Sequence, residues 1–69
     1  MEQQQTLGDR IRFARLVKKW NQSTLAGKVG CSRESVVGWE GGLHYPSPVL
    51  LAKLAEVLGV TVEELEKGE

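Results

Sequence analysis

The sequence predicts a single all-α domain of five short helices. Apolar residues recur at three- and four-residue spacing in successive blocks, the period of a helix with one buried face. A residue able to cap a helix stands before each block: Thr6, Asn21, Ser32, Ser47 and Thr61. Glycines stand where three of the blocks must stop, at Gly30, at Gly41 with Gly42, and at Gly59. With 69 residues the chain has room for one small domain, and a domain of this size buries only about 60% of the surface its unfolded form exposes. The core is therefore expected to be thin.

Residues 1–5 read as a flexible polar tail, and the domain is expected to span 6–67. Helix 1 starts at Thr6, and Leu7, Ile11 and Ala14 form a core-facing stripe that runs to about Lys18. Phe13, Leu16, Val17 and Trp20 lie on its other faces, more apolar surface than one buried side needs. Trp20 is expected to fold back into the core, which leaves Phe13 with Leu16 or Val17 as a candidate patch for a protein partner on helix 1.

Helix 2 is placed at 22–29 behind Asn21, with Leu25 and Val29 inward and small Ala26 where two crossing helices touch. Gly30 supplies a left-handed turn at low steric cost. Cys31 packs inward, Ser32 caps helix 3 at 33–40, and Val36 and Trp39 point to the core. A helix, a tight turn and a second capped helix make a helix-turn-helix. After the loop LHYP, Ser47 and Pro48 open helix 4, whose leucines, alanines and Val57 make it the helix expected to be most buried. Thr61 and Glu64 form a capping box for a short helix 5 ending near Lys67.

Composition limits what the domain can do. Hydrophobic residues at 41% and charged residues at 26% suit a globular domain in water, and no apolar run approaches the ~20 residues of a membrane span. The polar start MEQQQT carries no signal-peptide pattern, so a cytoplasmic location is expected. The single cysteine allows neither an intrachain disulfide nor a cysteine zinc cluster, and no metal or cofactor is expected. One histidine, one cysteine and no phosphate-binding glycine loop offer no catalytic constellation, which argues against an enzyme. Net charge is zero, but it is unevenly spread: residues 1–20 carry +3 and residues 46–69 carry −3. Such a chain can turn one side to a polyanion and the other to solvent or a partner.

The run QSTLAGKVGCSRESVVGWEGG from Gln22 to Gly42, with LGDRIRFAR before it and Pro46 to Leu58 and GVTVEEL after it, resembles the Cro and lambda-repressor-like helix-turn-helix domains, the XRE family. The resemblance covers roughly residues 6–66 and is carried by Gln22, Leu25-Ala26, Gly30, Ser32, the Trp39-Glu40-x-Gly42 ending and LAxxLGV from Leu54 to Val60. It implies a compact five-helix lambda-repressor-like fold and a small prokaryotic or phage transcriptional regulator, repressor-like, that binds double-stranded DNA with helix 3 in the major groove. It also implies a homodimer on an inverted repeat, and a structural pair between Arg15 and Glu40 that holds helix 1 against the end of helix 3. A protein-interaction module or antitoxin-type partner-binding protein on the same fold is the alternative.

With Val36 and Trp39 inward, Ser32, Arg33, Glu34, Ser35, Val37 and Gly38 are left facing out. Arg33 is the strongest candidate for a base contact, since its guanidinium can bond both major-groove acceptors of guanine, and Glu34 can accept from a cytosine amino group. Gln22 resembles the family position that meets phosphate and the adjacent base, with Asn21, Ser23 and Thr24 as helpers. Ser32, Ser35, Gly38 and His44 complete the candidate DNA-binding set, His44 lying in a loop where the family often carries cations. Val60, Val62 and Leu65 are the candidate dimer surface, with Phe13 and Val17 in competition. The chain departs from the family pattern at Lys19, where glycine is common, and at Gly41, Leu43 and His44, where polar or cationic residues are. Fewer phosphate contacts, weak nonspecific binding and affinity that depends on dimerisation are expected.

Overall fold

The computed structural model describes residues 6–67, so the expected tail at 1–5 lies outside the described residues. The helices are α1 (Leu7–Val17), α2 (Gln22–Val29), α3 (Arg33–Gly41), α4 (Pro48–Leu58) and α5 (Val62–Lys67), with no strand among the described residues. Their ends follow from local chemistry. Thr6 Oγ1 accepts from the Asp9 amide at 3.1 Å while the Asp9 carboxylate accepts from the Thr6 amide at 3.3 Å, a reciprocal cap in which aspartate does the work of glutamate. Thr61 and Glu64 do the same for α5 at 2.9 and 3.0 Å. Asn21, Ser32 and Ser47 each accept from the amide three residues on, at 2.7, 3.2 and 3.3 Å.

Gly30, Gly42 and Gly59 adopt φ of 89°, 77° and 75° and terminate α2, α3 and α4. Gly41 remains helical, so α3 runs one residue past its expected end and Gly42 alone is the stop. Lys19 is the non-glycine exception, at φ 62° between α1 and α2, a conformation that costs an ordinary side chain about 1 kcal/mol. The turn is held by Lys19 and Trp20 amides donating to Leu16 and Arg15 carbonyls at 2.9 and 3.3 Å. Trp20 is half-buried against the core, and the Lys18 and Lys28 ammonium groups lie 5.5 and 4.8 Å from its ring centroid.

The core sits where all five helices converge. Ile11 of α1, Leu25 of α2, Val36 of α3 and Leu54 of α4 are fully enclosed, and Trp39, Leu51, Ala55, Leu58 and Leu65 close around them. Truncating such a leucine to alanine costs about 2 to 5 kcal/mol. α4 supplies the largest share of this core, in keeping with its continuous apolar sequence. Leu65 is a correction to the candidate dimer surface: it is buried in the core, because α5 has one inward position and Leu65 occupies it. Val60 and Val62 are half-buried against the same core, which leaves each only partly available.

Two contacts fix the outer helices. Gly8 of α1 lies against the end of α3, where an added Cβ would collide with the Trp39 carbonyl oxygen and meet that of Glu40 at 2.8 Å. This is the closest helix approach at a glycine among the described residues, and Ala26 of α2, the small residue expected where two helices cross, is buried in the core. Arg10 Nη1 donates to the Leu65 and Glu66 carbonyls at 3.1 Å each, tying α1 to the last turn of α5. No helix of the described residues is long and apolar enough to cross a membrane.

Candidate nucleic-acid interface

At 100° per residue, Arg33, Val37, Gly41 and Glu34 of α3 fall within an arc of about 100°, and all four are exposed. Val36 and Trp39 occupy the opposite side in the core. α3 therefore presents a narrow outward stripe whose first turn carries one guanidinium and one carboxylate. The backbone on which they sit is rigid, since α3 packs on both α1 and α2.

Glu40 marks one edge of that stripe. Arg15 Nε donates to Glu40 Oε2 at 2.7 Å, Arg15 Nη2 donates to Oε1 at 2.9 Å, and Gln22 Nε2 donates to Oε1 at 3.1 Å. Arg15 also donates from Nη1 to the Trp20 carbonyl at 2.9 Å. One carboxylate thus joins α1, α2 and α3, and the guanidinium additionally holds the α1 to α2 turn. The hydrogen bonds to Glu40 raise the Arg15 pKa above its ordinary value, while burial pulls the other way. Arg15 is committed to this network. The chemistry left for a ligand is elsewhere.

The α2 side of the edge is made of groups with capacity to spare. Gln22 uses its amide nitrogen on Glu40, Asn21 uses its side-chain oxygen on the Thr24 amide, and Ser32 uses its oxygen on the Ser35 amide. The Gln22 oxygen and the Asn21 amide nitrogen have no such commitment among the described hydrogen bonds, and Ser23 is exposed beside them. The Ser32 and Ser35 hydroxyls lie 3.1 Å apart and share one hydrogen bond, and Ser35 is half exposed. A shallow groove here is lined by Arg12, Arg15, Gln22, Val37, Glu40 and Gly41. Arg12 joins the candidate residues through this groove. Its position three residues before Arg15, on the same side of α1, is the signal that could have found it.

Gly38 marks the other edge and corrects the expected outward set: it is buried, 40° beyond Glu34 on the helix. The side chain of His44 lies over it, and an added Cβ would collide with His44 Nε2. His44 itself is exposed, as are Leu43, Tyr45 and Val49 around the start of α4. Phe13 and Val17 of α1 are exposed by 69% and 63% and line a separate apolar groove with Ala14, Leu58, Val60 and Lys18. Cys31 is half-buried, and burial pushes its thiol pKa up.

The arrangement of capped α2, left-handed Gly30 and an α3 with one bare side coincides with known proteins over nearly the whole chain. Residues 11–65 match a protein-family model described as Helix-turn-helix. The P22 c2 repressor, solved in complex with a synthetic operator, superposes with a TM-score of 0.93 at 32% identity, covering 96% of this chain and 100% of that one. This chain belongs to the Cro and lambda-repressor-like helix-turn-helix family of DNA-binding domains. An HTH-type transcriptional regulator of Archaeoglobus fulgidus is 41% identical over 56 residues, 81% of this chain and 80% of that protein. The restriction-modification controller protein C.AhdI from Aeromonas hydrophila superposes with a TM-score of 0.81 at 39% identity, covering 86% of this chain and 89% of that one. For a helix-turn-helix domain, the narrow stripe on α3 and the polar start of α2 are the surfaces to consider for DNA.

Proposed function

We infer that this protein is a DNA-binding transcriptional regulator that reads a specific duplex sequence through the exposed stripe of α3. The observation that carries this reading is the division of α3 into two faces: Val36, Trp39 and Glu40 are locked inward, while Arg33, Glu34, Val37 and Gly41 are bare. A rigid helix with an unpartnered polar first turn suits the major groove, where base edges carry a distinct pattern of donors and acceptors. Arg33 bonds guanine, Glu34 accepts from cytosine, and Val37 suits a thymine methyl group. Gln22, Asn21, Ser23 and Ser32 hold the phosphates alongside, and Arg12 supplies the cation on the α1 side. Ser35 assists through its shared hydroxyl. The family match and the operator complex of the P22 c2 repressor support the same assignment.

One domain reads only a few base pairs, so the specific complex contains two copies on an inverted repeat, with half-sites about one helical turn apart. The exposed parts of Val60 and Val62 and the neighbouring groove at Phe13 and Val17 are the surfaces for that pairing. A second reading, a protein-interaction module, draws on that groove alone. Selection of bound sequences from a random duplex pool, with the mass in solution recorded at the same concentration, separates the two. Enrichment of an inverted repeat by a dimer supports the regulator, and no enrichment from folded protein rejects it.

A further inference from the structure

Phe13 and Val17 project from α1 into solvent, and Leu16 beside them is half exposed. With Ala14 of the same helix and Leu58 and Val60 at the end of α4, they line a groove of about 220 Å³. An apolar cavity of about 150 Å³ already accepts benzene, so the groove has room for one phenyl side chain. One face of the molecule thus carries both a projecting ring and a slot that fits it.

The charges beside the groove are of both signs. On the α1 side Arg10 is bound to α5 carbonyls and Arg15 to Glu40, and Lys18 is the lining cation that takes part in no described ion pair. On the other side the chain passes from Val60 into α5, where Glu63 and Glu64 are exposed in the first turn. The groove therefore lies on the seam between the basic N-terminal third and the acidic C-terminal third of the chain. A wholly acidic partner would meet Glu63 and Glu64, and a wholly basic one would meet Lys18. A surface with an apolar centre, a cation on one side and carboxylates on the other is complementary to itself when turned by half a revolution.

We propose that this seam is the pairing surface of a homodimer, in which a twofold axis puts Phe13 of each copy into the groove of the other and Lys18 of each beside Glu63 of the other. The proposal rests on the regulator reading above for the need of two copies, and it places the axis on the α1 side, with Phe13 as the central contact. Pairing there leaves the DNA side open. Arg12 lies about 100° from Phe13 and about 140° from Val17 around α1, and the separate groove that Arg12 lines leads to Gln22 and Val37. The patch is small, so the interface falls at the low end of specific interfaces, about 1,000 Å² in total. The two copies accordingly associate and separate with concentration.

Sedimentation velocity over a concentration series, without DNA, tests this. The unsubstituted protein passes from monomer to dimer, and Phe13→Ser raises the dissociation constant at least about tenfold, since one substitution removes two buried rings per dimer. Val17→Ser acts in the same direction. Lys18→Glu and Glu63→Lys are each monomeric alone where the unsubstituted protein is a dimer, because like charges then face each other. An equimolar mixture of the two restores the dimer, because opposite charges face again across both contacts. All four side chains are exposed, and thermal unfolding of each variant checks that the fold is retained. A protein that is monomeric throughout, a Phe13→Ser dimer of unchanged strength, or a mixture that stays monomeric overturns the proposal. Selection from the random duplex pool separates this from the DNA reading. A dimer that is lost with Phe13→Ser but enriches no duplex keeps the pairing and rejects the DNA reading, and a monomer that enriches a single half-site does the reverse.

Discussion

Arg15 and Glu40 face each other across the α1 to α3 contact with two parallel hydrogen bonds, 2.7 and 2.9 Å long, and their side chains are only 9% and 5% exposed. Charges so far out of water are stable only while each has the other, because the desolvation cost is met by the pairing. Removing one partner strands the second. Glu40→Ala is therefore expected to lower the unfolding free energy by about 3 kcal/mol, more than the loss of an exposed ion pair, typically below 1 kcal/mol. Urea denaturation measures it. Lys53→Ala, which breaks the exposed Lys53 to Glu56 pair at 3.9 Å, is the control with little expected change. A similar midpoint for Glu40→Ala and the unsubstituted protein would remove the network from the list of what holds α3 in place.

Gly8 and Gly27 make a second comparison, since both are helical and only one is crowded. A methyl at Gly27 meets nothing within 4 Å, whereas at Gly8 it meets backbone oxygens of Trp39 and Glu40, which cannot rotate away. Gly27→Ala should stabilise the domain by about 0.5 to 1 kcal/mol through the better helix propensity of alanine. Gly8→Ala should destabilise it despite the same propensity gain, because α1 must lift from α3 or bend. Thermal unfolding of the two variants should shift in opposite directions. Shifts in the same direction would show that α1 rides on α3 less tightly than this contact requires.

Cys31 gives a prediction in pH. Burial raises its pKa above the ordinary value of 9.0, so the folded thiol holds its proton at pH values where the unfolded thiol has begun to lose it. Stability from this group is fully present below the unfolded pKa and is lost as pH rises through the folded one. Alkylation by iodoacetamide at pH 8 should accordingly be slower in the folded protein than in urea, since the thiolate is the nucleophile. Equal rates would mean that the thiol is solvated in the fold.

What was legible in the sequence was mostly what is decided within one turn of the chain. Thr6, Asn21, Ser32, Ser47 and Thr61 cap helices through amides three residues away, and Gly42 and Gly59 stop them, so both residue types announce their role locally. Gly38 is not legible as buried, because a helical projection places it beside Glu34 and says nothing of a loop folding over it. Leu65 is ambiguous for the converse reason: an apolar residue on a short acidic helix fits a partner surface as well as a core, and only packing on α1 and α4 decides. The Arg10 tie to α5 spans 55 residues, and no local pattern in α1 marks it. Glu40 could be linked to Arg15 through family resemblance alone, since 25 residues separate them.

Arg33 is where specificity and affinity can be told apart. It opens α3, is exposed, and takes part in no described ion pair, so its guanidinium keeps all its donors for a ligand. A bidentate bond to guanine discriminates by about 1 to 3 kcal/mol against the wrong base, whereas a phosphate contact strengthens every sequence alike. Arg33→Ala should therefore weaken the selected duplex by about tenfold or more while changing random-sequence binding little, and the preference at one base pair should relax. The slope of binding against salt should change little as well, because a base contact releases few counterions. Equal weakening of selected and random duplexes, with a shallower salt slope, would place Arg33 on the backbone. Glu34, its neighbour in the first turn, would then be the remaining base-reading side chain with a charge on this stripe.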